Sequence, residues 1–178
     1  RVELEHIQKT QGSTTLFVTH DQVEALTLAD RIGVLNEGVL VQIGTPNDIY
    51  DRPSTVFVAK LVGSPSINLI DAVRENGKAH IKDSPIEVPV VGAGDALPQE
   101  FTLGIRPEDI QPEAGGGYSG HVILVEPLGV ETVIHIQSGE QTLVSLVSGI
   151  TSLKIGDDVK FEIIRERLHF FDSDGNRV

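Results

Sequence analysis

Cysteine is absent, which removes disulfides, thiolate catalysis and cysteine-ligated metals together. That absence fits a reducing compartment without requiring one. Tryptophan is absent too, and aromatic residues make up only 4% of the chain, so platforms for stacking bases or sugar rings are poorly supplied. Positive charge is scarce. Lys and Arg number 14 against 26 Asp and Glu, the net charge is -12, and the basic residues are dispersed. A duplex-binding surface needs clustered cations to displace counterions, so no nucleic acid is expected as a direct partner. No apolar run approaches the roughly 18–20 residues that span a bilayer, and no secretory signal is visible. What is present is a hydrophobic share of 39% over 178 residues. That is enough for a packed core, with one large domain or two small ones expected.

Two styles of sequence meet near residues 63–67. Before that point helix and strand patterns alternate. Residues 2–9 place Leu4 and Ile7 at helical spacing ahead of Gly12, a helix stop. The chain begins at Arg1 rather than Met, inside that pattern, and is expected to be truncated. Residues 14–19 form a short β-branched run that predicts a buried strand. Asp21 then starts a helix, with Glu24 as its capping-box partner and Val23, Leu26 and Ala25 or Ala29 on a buried face. Residues 31–35 and 39–43 flank Asn36-Glu37-Gly38, a hairpin turn. Thr45 caps a further helix with Pro46 in its first turn, and residues 55–62 predict another.

Gly63-Ser64-Pro65-Ser66 reads as a linker, after which short strands and frequent turns take over. Strands are expected at 68–74, 79–81, 101–105, 120–126, 132–137, 142–147, 159–164 and 168–172. Asn76-Gly77, Ser138-Gly139-Glu140 and Asp174-Gly175 supply turns between several of them. Many short strands at this spacing predict a small barrel or sandwich. Gly115-Gly116-Gly117 has no Gly-Lys-Ser/Thr after it and is not a phosphate-binding loop.

One histidine stands out. His20 follows a predicted buried strand and precedes a helix start, so its imidazole would project from the strand's carboxyl edge, where α/β proteins bind ligands. Neutral imidazole both donates and accepts hydrogen bonds. It could hold a terminal phosphate oxygen or position an attacking water.

Residues 15–38 resemble the stretch that follows the Walker B strand in ATP-binding-cassette (ABC) ATPases. The resemblance is carried by Val18-Thr19-His20-Asp21, Glu24-Ala25, Leu28-Ala29-Asp30-Arg31-Ile32 and Asn36-Glu37-Gly38. It continues through Gly44-Thr45-Pro46, Ile49-Tyr50, Pro53, Phe57-Val58-Ala59 and Gly63-Ser64-Pro65. Gly104-Ile105-Arg106-Pro107-Glu108 is similar to a segment of the C-terminal β domain in sugar-importer ATPases of the maltose and glycerol-phosphate type. So are residues 125–132 and Glu166-Arg167-Leu168-His169-Phe170-Phe171-Asp172. These matches span nearly the whole chain in family order.

The resemblance implies an α/β remnant of the ABC ATPase core at residues 1–63, a linker at 64–67, and an all-β OB-like regulatory barrel of the transport-associated type at 68–178. It makes His20 the switch histidine, a catalytic residue that contacts the γ-phosphate of ATP in the intact subunit. It makes Arg106, Pro107 and Glu108 candidates for a regulatory or dimer contact. Read from residues alone, Arg106-Pro107-Glu108-Asp109 is a strand end turning into a short helix start. The implied partners are a second copy of the subunit, the membrane permease subunits and a cytoplasmic regulatory protein. The implied location is the cytoplasmic face of the cell membrane.

ABC hydrolysis also needs a phosphate loop with its Lys, a Walker B Asp with an adjacent Glu, and a signature loop from the opposite subunit. No Gly-x-x-x-x-Gly-Lys-Ser/Thr and no Leu-Ser-Gly-Gly-Gln occurs in these residues. ATP and Mg2+ are therefore expected in the intact subunit and not on this chain alone, which is expected to be inactive. His6, His80, His121, His135 and His169 show no metal-type spacing and read as polar strand or surface residues. Asp71, Glu126 and Glu131 read as solvated strand positions. The alternative function is a stand-alone β domain that binds a small oxyanion or sugar. The acidic charge and the lack of a basic cluster stand against it.

Overall fold

Asn36-Glu37-Gly38 does turn the chain back on itself. Glu37 and Gly38 have φ of 48° and 82°, the left-handed pair that a two-residue hairpin needs, and Gly38 adopts it without steric cost. The turn joins β1 (Ile32–Asn36) to β2 (Val39–Gly44), an antiparallel pair with a register shift at Val34/Leu35. These elements come from a computed structural model that describes Thr10, Gly12, residues 14–90 and residues 97–178. The chain folds as two compact units, one ending at Gly63 and the other Ser64–Val178. The helix expected at residues 2–9, and His6 within it, lie outside the described residues.

In the first unit, α1 (Gln22–Leu28) precedes the hairpin, and α2 (Pro46–Asp51) and α3 (Val56–Leu61) follow it. Both later helices start as the sequence predicts. Thr45 and Asp48 form a full capping box ahead of Pro46, and Thr55 accepts from Val58 N–H at 3.3 Å. The small core of this unit is Val34, Ile49, Val58 and Val62, with Ile32, Val41 and Tyr50 packed on it.

Two expectations fail here. Residues 14–19 form no strand, and Leu16 and Val18 are 93% and 84% exposed. A buried parallel strand depends on neighbours along its edges and helices on its faces. No described strand lies alongside this run, so its β-branched pattern has no ladder to join. The face of α1 that should be buried contains no buried residue.

The second unit is almost wholly β. In chain order it runs β3 (Asn68–Glu75), β4 (Lys78–Ile81), β5 (Glu87–Pro89), β6 (Glu100–Ile105), β7 (Ile110–Pro112) and β8 (Tyr118–Pro127). It continues with β9 (Glu131–Ser138), β10 (Gln141–Ser148), β11 (Asp158–Ile163) and β12 (His169–Phe171). β5 and β7 were not legible, being three residues long with Pro at the end of each. Two antiparallel sheets result, ordered β10-β9-β8-β11-β7 and β12-β6-β3-β4-β5. Their inner faces share one core that includes Ile70, Leu103, Ile134, Ile136, Leu143 and Phe161. The arrangement is a near-closed, OB-like barrel. The described chain is thus mostly β with few helices. No helix in it is long and apolar enough to cross a membrane.

A buried polar side chain joins the two sheets where apolar packing alone could slip. Asn68, 8% exposed at the start of β3, donates to Ile105 O (3.0 Å) and Val144 O (2.8 Å) and accepts from Val144 N–H (2.7 Å). Within one sheet, Ser145 on β10 donates to Ile110 O on β7 at 2.6 Å and so links its two edge strands. Asn68 therefore ties its own sheet to β10 in the other, and fixes their register.

Candidate functional site

His20 lies at a bend just before α1 with an exposed side chain. Its position is set by the helix cap rather than by a preceding strand. Asp21 Oδ1 accepts from the N–H groups of Val23 (2.8 Å) and Glu24 (3.1 Å). Glu24 does not complete the expected reciprocal box with Asp21. Its Oε2 accepts from the Thr19 hydroxyl at 2.9 Å, and Thr19 Oγ1 accepts from Asp21 N–H at 3.0 Å. A hydroxyl can donate and accept at once, so Thr19 closes the loop between the two acids. The two residues flanking His20 are thereby held while its imidazole is left to solvent.

The sequence holds no phosphate loop with its Lys. Among the described residues no three His, Asp or Glu side chains converge as a metal site requires.

Arg106, Pro107 and Glu108 follow the end of β6, where Pro107–Asp109 forms a single 3-10 turn. Asp109 N–H donates to Arg106 O, and Ile164 N–H at the end of β11 donates to Asp109 O, both at 3.0 Å. Arg106 and Asp109 are each 1% exposed. Arg167 lies across the turn, its Nε 3.3 Å from Asp109 Oδ1 and its Nη2 4.0 Å from Glu108 Oε1. Next to it is His169, buried on β12, whose Nδ1 accepts from Arg177 Nη1 at 2.9 Å. Burial first, and then the cationic Arg177, Arg106 and Arg167, push the His169 pKa down to about 3. This corner is therefore a buried polar network, and of the three candidate residues only Glu108 has a side chain reaching solvent.

Among the described residues the remaining histidines, His80, His121 and His135, sit on strands, as expected, and each pairs across strands with a carboxylate. His80 Nδ1 is 3.3 Å from Glu87 Oε1, His135 Nε2 is 2.9 Å from Glu126 Oε2, and His121 Nδ1 is 2.5 Å from Asp158 Oδ1. Glu126 is thus engaged by His135 rather than brought to Asp71 or Glu131. Residue type could not reveal these pairs or the Asn68 clasp. They depend on register between strands up to 76 positions apart in the chain.

The chain matches two domain families. Residues 63–110 match the MalK OB fold domain and residues 103–171 match the TOBE domain. Over 188 residues, 99% of the chain, it is 36% identical to the sn-glycerol-3-phosphate import ATP-binding protein UgpC of Psychromonas ingrahamii, covering 49% of that protein. It is 36% identical over 186 residues to the trehalose/maltose import ATP-binding protein MalK of Thermococcus litoralis, with 97% of the chain and 50% of that protein covered. To UgpC of Ruegeria sp. strain TM1040 it is 39% identical over 181 residues, covering 100% of the chain and 50% of the relative. The chain spans about half the length of the curated relatives it matches.

Proposed function

We propose that the chain is the C-terminal portion of the ATP-hydrolysing subunit of an ABC importer for sugars, since residues 63–110 match the MalK OB fold domain, residues 103–171 match the TOBE domain, and the relatives are import ATP-binding proteins. One observation carries this reading. The similarity to those proteins runs through both structural units, so the first unit, with His20 at its helix cap, is tied to the same family as the β unit.

On this reading residues 1–63 are the end of the nucleotide-binding domain, 64–67 a linker and 68–178 the regulatory domain. His20 is the phosphate-contacting residue of the intact subunit. Its exposure and the fixed cap behind it are what a side chain that meets a ligand from another segment requires. ATP and Mg2+ belong to that subunit, and the 178 residues alone bind neither. The partners are a second copy of the subunit, the permease subunits and a cytoplasmic regulator, at the inner face of the cell membrane. Glu108 is the residue of its turn available to such a contact, with Arg106 and Pro107 holding it in place.

The test is a chimaera in which these residues replace the matched half of the Ruegeria UgpC, assayed for ATP hydrolysis after purification. His20→Ala is expected to lower the rate by about a hundredfold or more while leaving the melting temperature unchanged. A folded chimaera whose His20→Ala variant hydrolyses ATP at the unmutated rate would overturn the assignment. Calorimetric titration of the 178-residue chain with Mg-ATP should show no saturable site.

A further inference from the structure

His121 on β8 and Asp158 on β11 are direct partners in the antiparallel register. Their side chains meet at 2.5 Å, Nδ1 to Oδ1, although they are 69% and 86% exposed. A carboxylate at Nδ1 fixes the tautomer, since it can only accept the Nδ1 proton. The lone pair of the ring is then on Nε2, directed away from Asp158 and open to solvent. Ser119 stands two residues before His121 and pairs with Lys160, two residues after Asp158. Alternation along each strand puts all four on one face. With Gln137 and Ser138 of β9 they line an open depression.

The other strand histidines lack this combination. His169 is buried and its Nδ1 is taken by Arg177. His135 turns Nε2 itself toward Glu126. The contact from His80 is longer, at 3.3 Å, and its Glu87 is shared with Lys78.

We propose that His121 is a phosphoryl acceptor, modified at Nε2 by donors of the phosphoramidate class, which includes N-phosphorylated imidazoles. The Nε2 lone pair attacks phosphorus, and the donor P–N bond breaks with its electron pair. The donor nitrogen, protonated in the reactive form, leaves as a neutral amine. The P–Nε2 bond forms, and the ring becomes a phosphoimidazolium that keeps its proton on Nδ1. Asp158 offsets the positive charge that develops there, the role a carboxylate has behind any nucleophilic or basic imidazole. Lys160 supplies a cation on the same face for the phosphoryl oxygens. The product is an exposed ring carrying a dianionic group on the outer face of the β unit, a reversible change of charge at one position.

The test uses the 178-residue chain with potassium phosphoramidate, followed by 31P NMR and by mass spectrometry of the peptides. Nε2-phosphohistidine is expected at His121 ahead of every other histidine, and its signal is lost in His121→Ala. Asp158→Asn should slow labelling about tenfold, the low end of what an oriented partner contributes. Both positions are on the surface, and unchanged melting curves establish that the variants fold. Labelling of His121 no faster than of exposed His20, phosphate on Nδ1, or an Asp158→Asn variant labelled at the unmutated rate would each overturn the proposal.

Discussion

At the scale of single residues, His169 couples the fold to pH. Arg177 donates to its Nδ1, so the proton of the neutral ring is on Nε2, and a second proton would set N–H against N–H among three guanidinium groups. The folded pKa of about 3 lies below the ordinary value of 6.5. The unfolded chain therefore takes up the proton first as pH falls. The stabilisation is complete above pH 6.5 and is lost progressively toward pH 3, at about 1.4 kcal/mol for each pH unit. Urea melts between about pH 7.5 and 4.5 should show this slope, and His169→Gln should flatten it relative to the parent chain. Asn68 acts without titrating. Asn68→Ala orphans Val144 N–H and removes two donors at the junction of the sheets, for a loss of about 3 kcal/mol in denaturant unfolding. Asn68→Asp, which keeps only acceptors, should recover little of it.

At the scale of elements, two glycines separate backbone conformation from crowding. Gly77 follows Asn76 in the β3–β4 turn, both with positive φ, and a Cβ on Gly77 would meet nothing within 4 Å. Gly77→Ala should cost about 1 kcal/mol, all of it conformational. Gly120 on β8 is different: a Cβ there would fall 2.5 Å from Gln137 O and 2.6 Å from Ile136 Cγ2 on the paired strand. Gly120→Ala should cost more, about 2–3 kcal/mol, because backbone must move. Thermal denaturation of both variants tests the order. The Asn76-Gly77 turn was readable from two adjacent letters, since positive φ is a property of residue type. The closeness of β8 and β9 at Gly120 was not, because it arises only when the strands are paired.

At the scale of the whole molecule, the two units differ in what holds them. The large core, from Ile70 to Phe170, is contained in residues 64–178. Those residues expressed alone should unfold in one cooperative transition with a midpoint close to that of the same unit in the full chain, measured by circular dichroism in urea. Among the described residues the first unit has Val34, Ile49, Val58 and Val62 as its core, and Leu16, Phe17 and Val18 are exposed. The failure of residues 14–19 to form the expected strand has the same origin. A central strand is made by its neighbours, and propensity cannot substitute for them.

Sequence alone determined the hairpin turns, the Thr45 cap and most strands of the β unit. Each of these rests on backbone preferences or apolar periodicity within a few adjacent residues. It also singled out His20 and the Arg106-Pro107-Glu108 turn by their order along the chain. Tertiary structure alone decided that Arg106 and Asp109 are buried, that Thr19 closes the cap beside His20, that Asn68 joins the sheets, and that His121 stands against Asp158. Those outcomes depend on how segments distant in the chain come together, and among the strands a one-residue slip in register would move each side chain to the opposite face.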